Sequence, residues 1–342
     1  MFSARWTWLA LTLTPVLSQA ATAEPVPLTR VFQDWRVACD NTRRCTAVSG
    51  STDNPGMGLY IVREAGAKGS TRVSVISYDD VALRYEFHLD GRPTEQWKYG
   101  SKGREYYYLE GDAAIEKLRE LRNSDTLSSN SNFGERRVSL QGLSATLLLM
   151  DSVQGRIGHP SALVRPGYQP DSRVPPAPAI PKLPRFTLAP ALSDAEQQVI
   201  GNVAIARSQQ ELSQGPNESW QVQPDVYPLD PNHALVRLRY DCADDGCQHI
   251  FYRVSRSQPY EAIPLALNAP AGVPFTLDLY GNIDFNPVSG QLKMRRDSGK
   301  DCGESSIWQY DGAAMQLKDY RQMWHCESIN EEYWPVTWRA KG

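Results

Sequence analysis

The sequence predicts a mainly β protein with a few helices (α+β), arranged as two domains. Three observations support this reading. Runs of alternating apolar and polar residues recur in both halves, as in Leu83–Leu89 and Ala234–Tyr240, the signature of antiparallel strands with one wet face. Helical spacing is confined to three stretches. Eight prolines between Arg165 and Pro190 divide the chain near its middle, and the roughly 320 residues left after an export segment suffice for two domains.

In chain order, Arg5 precedes an apolar stretch from Trp6 to Leu17, and small residues follow up to Ala21-Thr22-Ala23. This succession predicts a signal peptide over residues 1–23 with Glu24 as the mature N-terminus; cleavage after Ala20 is the second choice. Residues 24–165 form the first domain. Strands are expected at Leu59–Val62, Arg72–Ile76 and Leu83–Leu89, the last ending at an Asp90-Gly91 turn. Asp112 is positioned to cap a helix over Ala113–Arg122, whose Ala114, Ile115, Leu118 and Leu121 form an apolar stripe. A polar loop over Ser124–Asn132, a strand at Arg137–Leu140 and a buried helix over Ser144–Arg156 complete the domain.

Residues 166–190 read as an extended, semi-rigid proline-rich linker. Residues 191–342 then read as a helix followed by a β-meander. Ser193-Asp194-Ala195-Glu196 is a capping box that opens a helix to about Arg207. Strands follow at Ala234–Tyr240 (with Arg237 and Arg239 on the wet face), Ile250–Val254, Gln291–Arg295, Ser306–Tyr310 and Met315–Lys318, the last two joined across Asp311-Gly312.

Net charge is −3, which gives no electrostatic case for nucleic acid or an anionic membrane. The second half, with 13 basic and 20 acidic side chains, argues against polyanions more strongly. Beyond the first 20 residues no apolar run approaches the roughly 18 residues of a membrane span. Six cysteines, an even number, suit an oxidising compartment, which here would be the periplasm. They allow 15 connectivities. The domain division favours Cys39–Cys45, Cys242–Cys247 and Cys302–Cys326, the first two bracketing turn-like stretches.

Chemistry is sparse. No C-x-x-C or zinc-type histidine spacing occurs, and His249 near Cys247 is the closest approach to a metal pair. There is no G-x-S-x-G, P-loop, G-x-G-x-x-G or H-E-x-x-H. Asp297-Ser298-Gly299 reads as a polar turn. Asn282–Asn286 has the alternating oxygens of a calcium loop, but Pro287 stands where the turn glycine belongs, and a strand edge fits better. Glu331-Glu332 beside Tyr333 and Trp334 is the one place where acids adjoin aromatics; as strand neighbours they would face opposite ways, so a solvated turn is expected. No catalytic, cofactor or metal residue is therefore assigned. The candidate binding aromatics are Trp97, Tyr106, Tyr107 and Tyr108, because a Tyr trio on a strand cannot turn wholly inward. Trp308, Trp324, Trp334 and Trp338 near the C-terminus are expected in the core.

Several blocks bear a resemblance. Phe32-Gln33-Asp34-Trp35-Arg36-Val37-Ala38-Cys39-Asp40-Asn41 with Cys45, Val138–Ala145, Met150-Asp151, Gln154-Gly155-Arg156, Asp301-Cys302-Gly303, Trp308–Gly312, Cys326 and Trp334–Ala340 together resemble an exported bacterial family catalogued as domain of unknown function eleven-seventy-six. The first domain is also remotely similar to the invasion-associated locus B proteins, with their D-W-x-V-x-C opening and S-L-x-G-(F/L)-S-A-A-L block. Thr146 replaces the second alanine, and the mid-domain cysteine pair of many such proteins is missing. That resemblance implies an antiparallel β-sandwich-like first domain with short helices. Neither supplies an activity. The expectation is an exported cell-envelope binding or assembly module for an envelope protein, glycan or small ligand; the alternative is a hydrolase acting on an envelope glycan or peptide.

Overall fold

The computed structural model of the chain describes residues 25–50, 57–77, 86–94, 97–102, 105–131, 134–212, 222, 224–244, 246–275, 279–299, 302–323, 325–326 and 329–342. The expected signal peptide, the start of the strand expected at Leu83–Leu89, Asp301 and Trp324 lie outside the described residues, as do the side chains of Tyr106 and Ser298.

The first half contains β1 (Leu28–Phe32), β2 (Trp35–Cys39), β3 (Cys45–Gly50), β4 (Met57–Arg63), β5 (Thr71–Ser77), β6 (Glu86–Leu89), β7 (Arg92–Thr94), β8 (Lys98–Lys102), β9 (Glu105–Glu110), α1 (Gly111–Leu121), β10 (Thr126–Ser131), β11 (Gly134–Ser139) and α2 (Leu143–Val153). A seven-stranded sheet runs β1-β2-β3-β4-β5-β9-β8, and a four-stranded sheet runs β11-β10-β6-β7. Described pairings in both are antiparallel. One core joins them: Trp35, Leu59, Ile61 and Leu109 of the large sheet pack with Phe87, Leu127 and Val138 of the small one, Leu118 of α1 and Leu147 of α2.

The second half contains α3 (Asp194–Leu212), β12 (Pro224–Pro228), β13 (His233–Ala243), β14 (Gly246–Ser255), β15 (Ala262–Pro264), β16 (Leu267–Asn268), β17 (Tyr280–Asn286), β18 (Gln291–Gly299), β19 (Cys302–Tyr310), β20 (Met315–Met323) and β21 (Val336–Arg339). Its sheet runs β12-β13-β14-β17-β18-β19-β20-β16, with β15 on β14 and β21 on β20. Alternation along β13 sends Leu235 into one core with Phe251, Phe285 and Trp308, and Val236 into another with Ile200 and Ala204 of α3. The three disulfides are Cys39–Cys45, Cys242–Cys247 and Cys302–Cys326.

Local chemistry accounts for the helix starts. At α3 the capping box is formed: Ser193 N–H donates to Glu196 Oε2 (2.8 Å) and Glu196 N–H to Ser193 Oγ (3.3 Å). These Ser193 contacts, then the Arg256 guanidinium, hold the Glu196 carboxyl down at about 2. Gly142 caps α2 at φ +94°, where a Cβ would lie 1.9 Å from the Phe32 carbonyl oxygen; only glycine fits. At α1 the expected cap is displaced. The helix begins at Gly111, and Asp112 sits in its first turn, where its charge favours the helix N-terminus without capping it.

Three further expectations are corrected by tertiary contacts. The polar stretch Ser124–Asn132 contains strand β10 rather than a loop, because β11 and β6 supply ladders on both its edges and Leu127 reaches the core. Arg237 is buried, not wet: its guanidinium bonds Asp225 Oδ2 (2.9 Å), the Tyr227 hydroxyl (3.2 Å) and the Ile283 carbonyl. The large sheet lacks the expected wet face over β2–β4. All five residues of β2 and all six of β3 are buried, because the second half covers the face opposite the core.

That covered face is where the halves meet. Val48, Tyr60 and Ile76 pack against Met323, Ile329, Tyr333, Trp334 and Cys302. Beside this apolar patch, the turn inside the Cys39–Cys45 disulfide grasps the C-terminal strand. Asp40 is fully buried and accepts from Thr42 N–H (2.8 Å), Thr42 Oγ1 (2.6 Å) and the Arg339 guanidinium. Asn41 pairs both ways with the Arg339 backbone, at 3.0 and 2.9 Å. Thr46 Oγ1 accepts from Val336 N–H at 3.1 Å.

Between the halves, residues 166–190 run extended and mostly exposed, apart from one 3-10 turn at Asp171–Arg173. Leu183 N–H donates to the Lys341 carbonyl (2.6 Å) and Lys341 N–H to the Pro181 carbonyl (2.8 Å). Arg256 donates to the carbonyls of Pro190 and Ala191 (2.9 and 3.1 Å).

Replacing Arg339 by Met leaves Asp40 buried without its cation. The expected loss is about 2–4 kcal/mol, somewhat below the cost of breaking a fully buried pair because the Arg339 side chain is 26% exposed. Urea unfolding of the full chain measures it; an unchanged midpoint would show that the clasp contributes nothing.

Candidate functional site

Of the aromatics singled out in the sequence, Tyr107 belongs to the core of the first half and Trp97 packs against it. Tyr107 is only 7% exposed and meets Phe87 edge-on at 5.1 Å. Trp97 is half-buried and packs on Phe87 at 5.5 Å. Tyr108 is half-buried under the Arg72 guanidinium, 4.1 Å from its ring. Tyr107 is therefore not available as a surface binding residue: β5 and β9 pair in a register that turns it inward, whereas Tyr99 on edge strand β8 is 55% exposed.

The other singled-out residues are structural. His249 is buried, with Nε2 against the Gly281 carbonyl (3.0 Å) and its ring stacked on Phe251. Asn282–Asn286 lies within β17: Ile283 and Phe285 face the core, while Asp284 bonds Arg237. Trp308 and Trp334 are fully buried. Trp334 precedes β21, so it and Trp338 do not share a strand, and they enter different cores. Among the described residues no group of His, Cys, Asp and Glu is placed to hold a metal ion.

Glu331 behaves differently from the solvated turn expected of it. It sits in a 3-10 turn, Glu331–Tyr333, that folds over the outer face of β18, β19 and β20. Register places two cross-strand rows on that face: Lys293, Ile307 and Asp319 in one, Arg295, Ser305 and Arg321 in the other. The intervening residues Met294 and Tyr320 point into the core. With Ile329–Glu332 as a rim, the two rows line a cleft of about 580 Å³, within the range of small-molecule sites.

Its charges are paired. Ser305 Oγ donates to Glu331 Oε1 (2.5 Å), Arg295 Nη1 to Glu331 Oε2 (2.9 Å), and Lys293 Nζ lies 3.5 Å from Glu331 Oε1. Arg295 Nε bonds Asp297 and Arg321 Nε bonds Asp319, both at 2.7 Å. Burial works against ionised Glu331, but the Ser305 hydrogen bond and the Lys293 and Arg295 charges outweigh it and hold the carboxyl below its ordinary range. Such a group is a carboxylate at neutral pH, an acceptor and not a proton donor.

Across the turn lies a second cleft of about 500 Å³, lined from the first half by residues including Arg44, Tyr60, Glu64 and Arg72, and from the second by Glu332 and Tyr333. Tyr60 and Tyr333 meet edge-on at 5.2 Å in its floor. Glu332 lines both clefts. Sequence reasoning reached Glu331 and Glu332 but missed Lys293, Arg295, Ser305, Asp319 and Arg321. The available signal was the pair of alternating motifs, Lys293-x-Arg295 and Asp319-x-Arg321, on strands whose intervening residues are apolar or aromatic.

Compared with known proteins, the chain matches the family described as "Protein of unknown function (DUF1176)" over residues 29–341. The chain belongs to this family. It is also 25% identical over 337 residues, 91% of this chain and 93% of the relative, to a protein of Escherichia coli (strain K12) named "Uncharacterized protein YpfG". No solved structure matches it. Blocks that carry the family resemblance meet in space: the Asp40-Asn41 turn holds Arg339 and Gly142 fits under Phe32. Asp151 of another block binds Arg63 at 2.5 Å with both side chains fully buried.

Because the folded carboxyl of Glu331 titrates below the unfolded one, its contribution to stability is present above about pH 4.3 and is lost as pH falls through the folded value. Glu331→Gln should lower stability at pH 7 by about 1–3 kcal/mol and flatten the acid limb of a stability–pH curve. Equal slopes for variant and wild type between pH 5 and about 3 would refute the assignment.

Proposed function

We propose that this is an exported cell-envelope protein that binds a small or oligomeric polar ligand in the groove at the junction of its halves, without transforming it. The observation that carries the reading is the charge-balanced cleft over β18–β20, whose Glu331 is held as a carboxylate by Ser305, Lys293 and Arg295. It offers recognition groups in both polarities. Among the described residues its lining contains no histidine, and Glu331 is held ionised.

Export is supported by the Arg5, apolar and Ala21-Thr22-Ala23 succession and by six cysteines in three local disulfides. The finer architecture is part of the same proposal. Residues 24–165 make a sandwich-like domain of the kind found in the invasion-associated locus B proteins, residues 191–342 make the second domain, and the proline-rich stretch connects them. One shared core between the two sheets of the first half supports the sandwich.

N-terminal sequencing of protein from a periplasmic extract should begin at Glu24; retention of Met1 would overturn export. For the groove, a thermal-shift screen of envelope components is expected to find a stabilising ligand. At a concentration of about 100 Kd, stabilisation is about 2.7 kcal/mol, or a rise of a few degrees for a chain of this size. The rise should vanish in Arg321→Ala. A ligand whose effect survives that change binds elsewhere.

A further inference from the structure

We propose that the cleft over β18–β20 takes an uncharged, polyhydroxylated ligand, a neutral oligosaccharide, in preference to any ion. The inference rests on the binding reading above and goes beyond it by assigning the ligand's chemistry.

Charge balance comes first. The lining holds three cations, Lys293, Arg295 and Arg321, and three carboxylates, Asp319, Glu331 and Glu332. Their formal charges cancel, so neither an anion nor a cation gains from the summed field. Both guanidiniums are also engaged. Arg295 spends Nε on Asp297 and Nη1 on Glu331, and Arg321 spends Nε on Asp319 and Nη1 on the Glu332 carbonyl (3.1 Å). A phosphate or carboxylate ligand competing for Arg295 Nε or Nη1 or for Arg321 Nε would have to displace a protein carboxylate already in place, and an ammonium ligand competing at the same carboxylate oxygens would have to displace a guanidinium. Each exchange leaves a half-buried charge uncompensated.

What these pairs leave over is directional hydrogen bonding. Arg295 Nη2 has no partner among the described residues, and the Lys293 ammonium, 56% exposed, has only its 3.5 Å contact with Glu331. Among the described residues Asp319 engages only Arg321 through its side chain, and a carboxylate has room for about four hydrogen bonds. Two donors, Lys293 and Arg295 Nη2, and one acceptor, Asp319, are therefore left across the two rows. Vicinal hydroxyls match this pattern, since each can donate to a carboxylate while accepting from an arginine or lysine, with every ion pair intact. Between the charged side chains Ile307 offers an apolar surface on which the C–H face of a sugar ring can rest. A zwitterionic peptide would match the charges but has to open the pairs, which makes it the less favoured occupant.

The test uses the full chain against an array of neutral oligosaccharides, followed by calorimetry on the best responder, with trialanine and inorganic phosphate as charged probes. The expected result is a neutral oligosaccharide whose affinity is insensitive to salt, because no ions are exchanged. Asp319→Asn should weaken it about tenfold or more, the worth of a hydrogen bond to a charged group. Lys293→Ala, at an exposed position that the fold does not need, should weaken it as well and covers the case in which Asp319→Asn fails to fold. If trialanine or phosphate binds instead, with strong salt dependence and loss in the same variants, the cleft stands as the site and the ligand class is overturned. Oligosaccharide binding that neither variant changes overturns the cleft itself. Failure of every array member overturns the assignment to neutral oligosaccharides.

Discussion

The Arg339 guanidinium reaches from the last strand to the fully buried carboxylate of Asp40, near the start of the first half, and the arrangement of both halves depends on that contact. The polar clasp does not act alone. Val48, Tyr60, Ile76, Met323 and Trp334 are buried beside it, and burying each such side chain is worth about 1.5–3 kcal/mol. Apolar contact therefore supplies most of the attraction. The clasp supplies register, because Asn41 pairs in both directions with one backbone residue, Arg339, and tolerates no slippage.

This junction also explains how the groove arises. Trp334 sits in the shared core and holds the 3-10 turn before it, with its indole N–H donating to the Ile329 carbonyl at 2.8 Å. The turn carries Glu331 over the outer face of β18–β20 and Glu332 toward the first half. The Arg295 guanidinium stacks over the Trp334 ring at 5.4 Å, so one aromatic side chain links the interface core to the charged cleft. Change at the interface is thereby coupled to the geometry of Glu331.

A second rigid unit lies at the far end of the large sheet. Asp151 on α2 binds Arg63 and also accepts from the backbone N–H groups of Leu163 and Val164. Arg156 donates to the carbonyl of Gly66 at 2.5 Å, and Gln154 to the carbonyls of Arg43 and Arg63. These are the Met150-Asp151 and Gln154-Gly155-Arg156 blocks of the family. Their work is structural: they fasten the end of α2 to the end of central strand β4 and the turns beside it.

Periodicity and local chemistry were enough to read much of the fold. The alternation of Ala234–Tyr240, the Ser193–Glu196 capping box and the Asp311-Gly312 turn are decided within a few residues, and so is each short disulfide loop. The Ser124–Asn132 stretch was misread because its strand exists only by pairing with β6 and β11, neither of which is visible from its own polar composition. Arg237 and Tyr107 were misplaced because charge and ring size do not reveal which face of a sheet a second layer will cover. The site was half legible: Glu331 and Glu332 stood out as acids beside aromatics, while Arg295, Ser305 and Arg321 are unremarkable singly and lie up to 36 positions from Glu331. The sequence by itself determined many of the strands and the cap of α3, since those follow from short-range spacing. Only the tertiary structure decided the groove, because cross-strand register and the Asp40–Arg339 clasp act between residues nearly 300 positions apart.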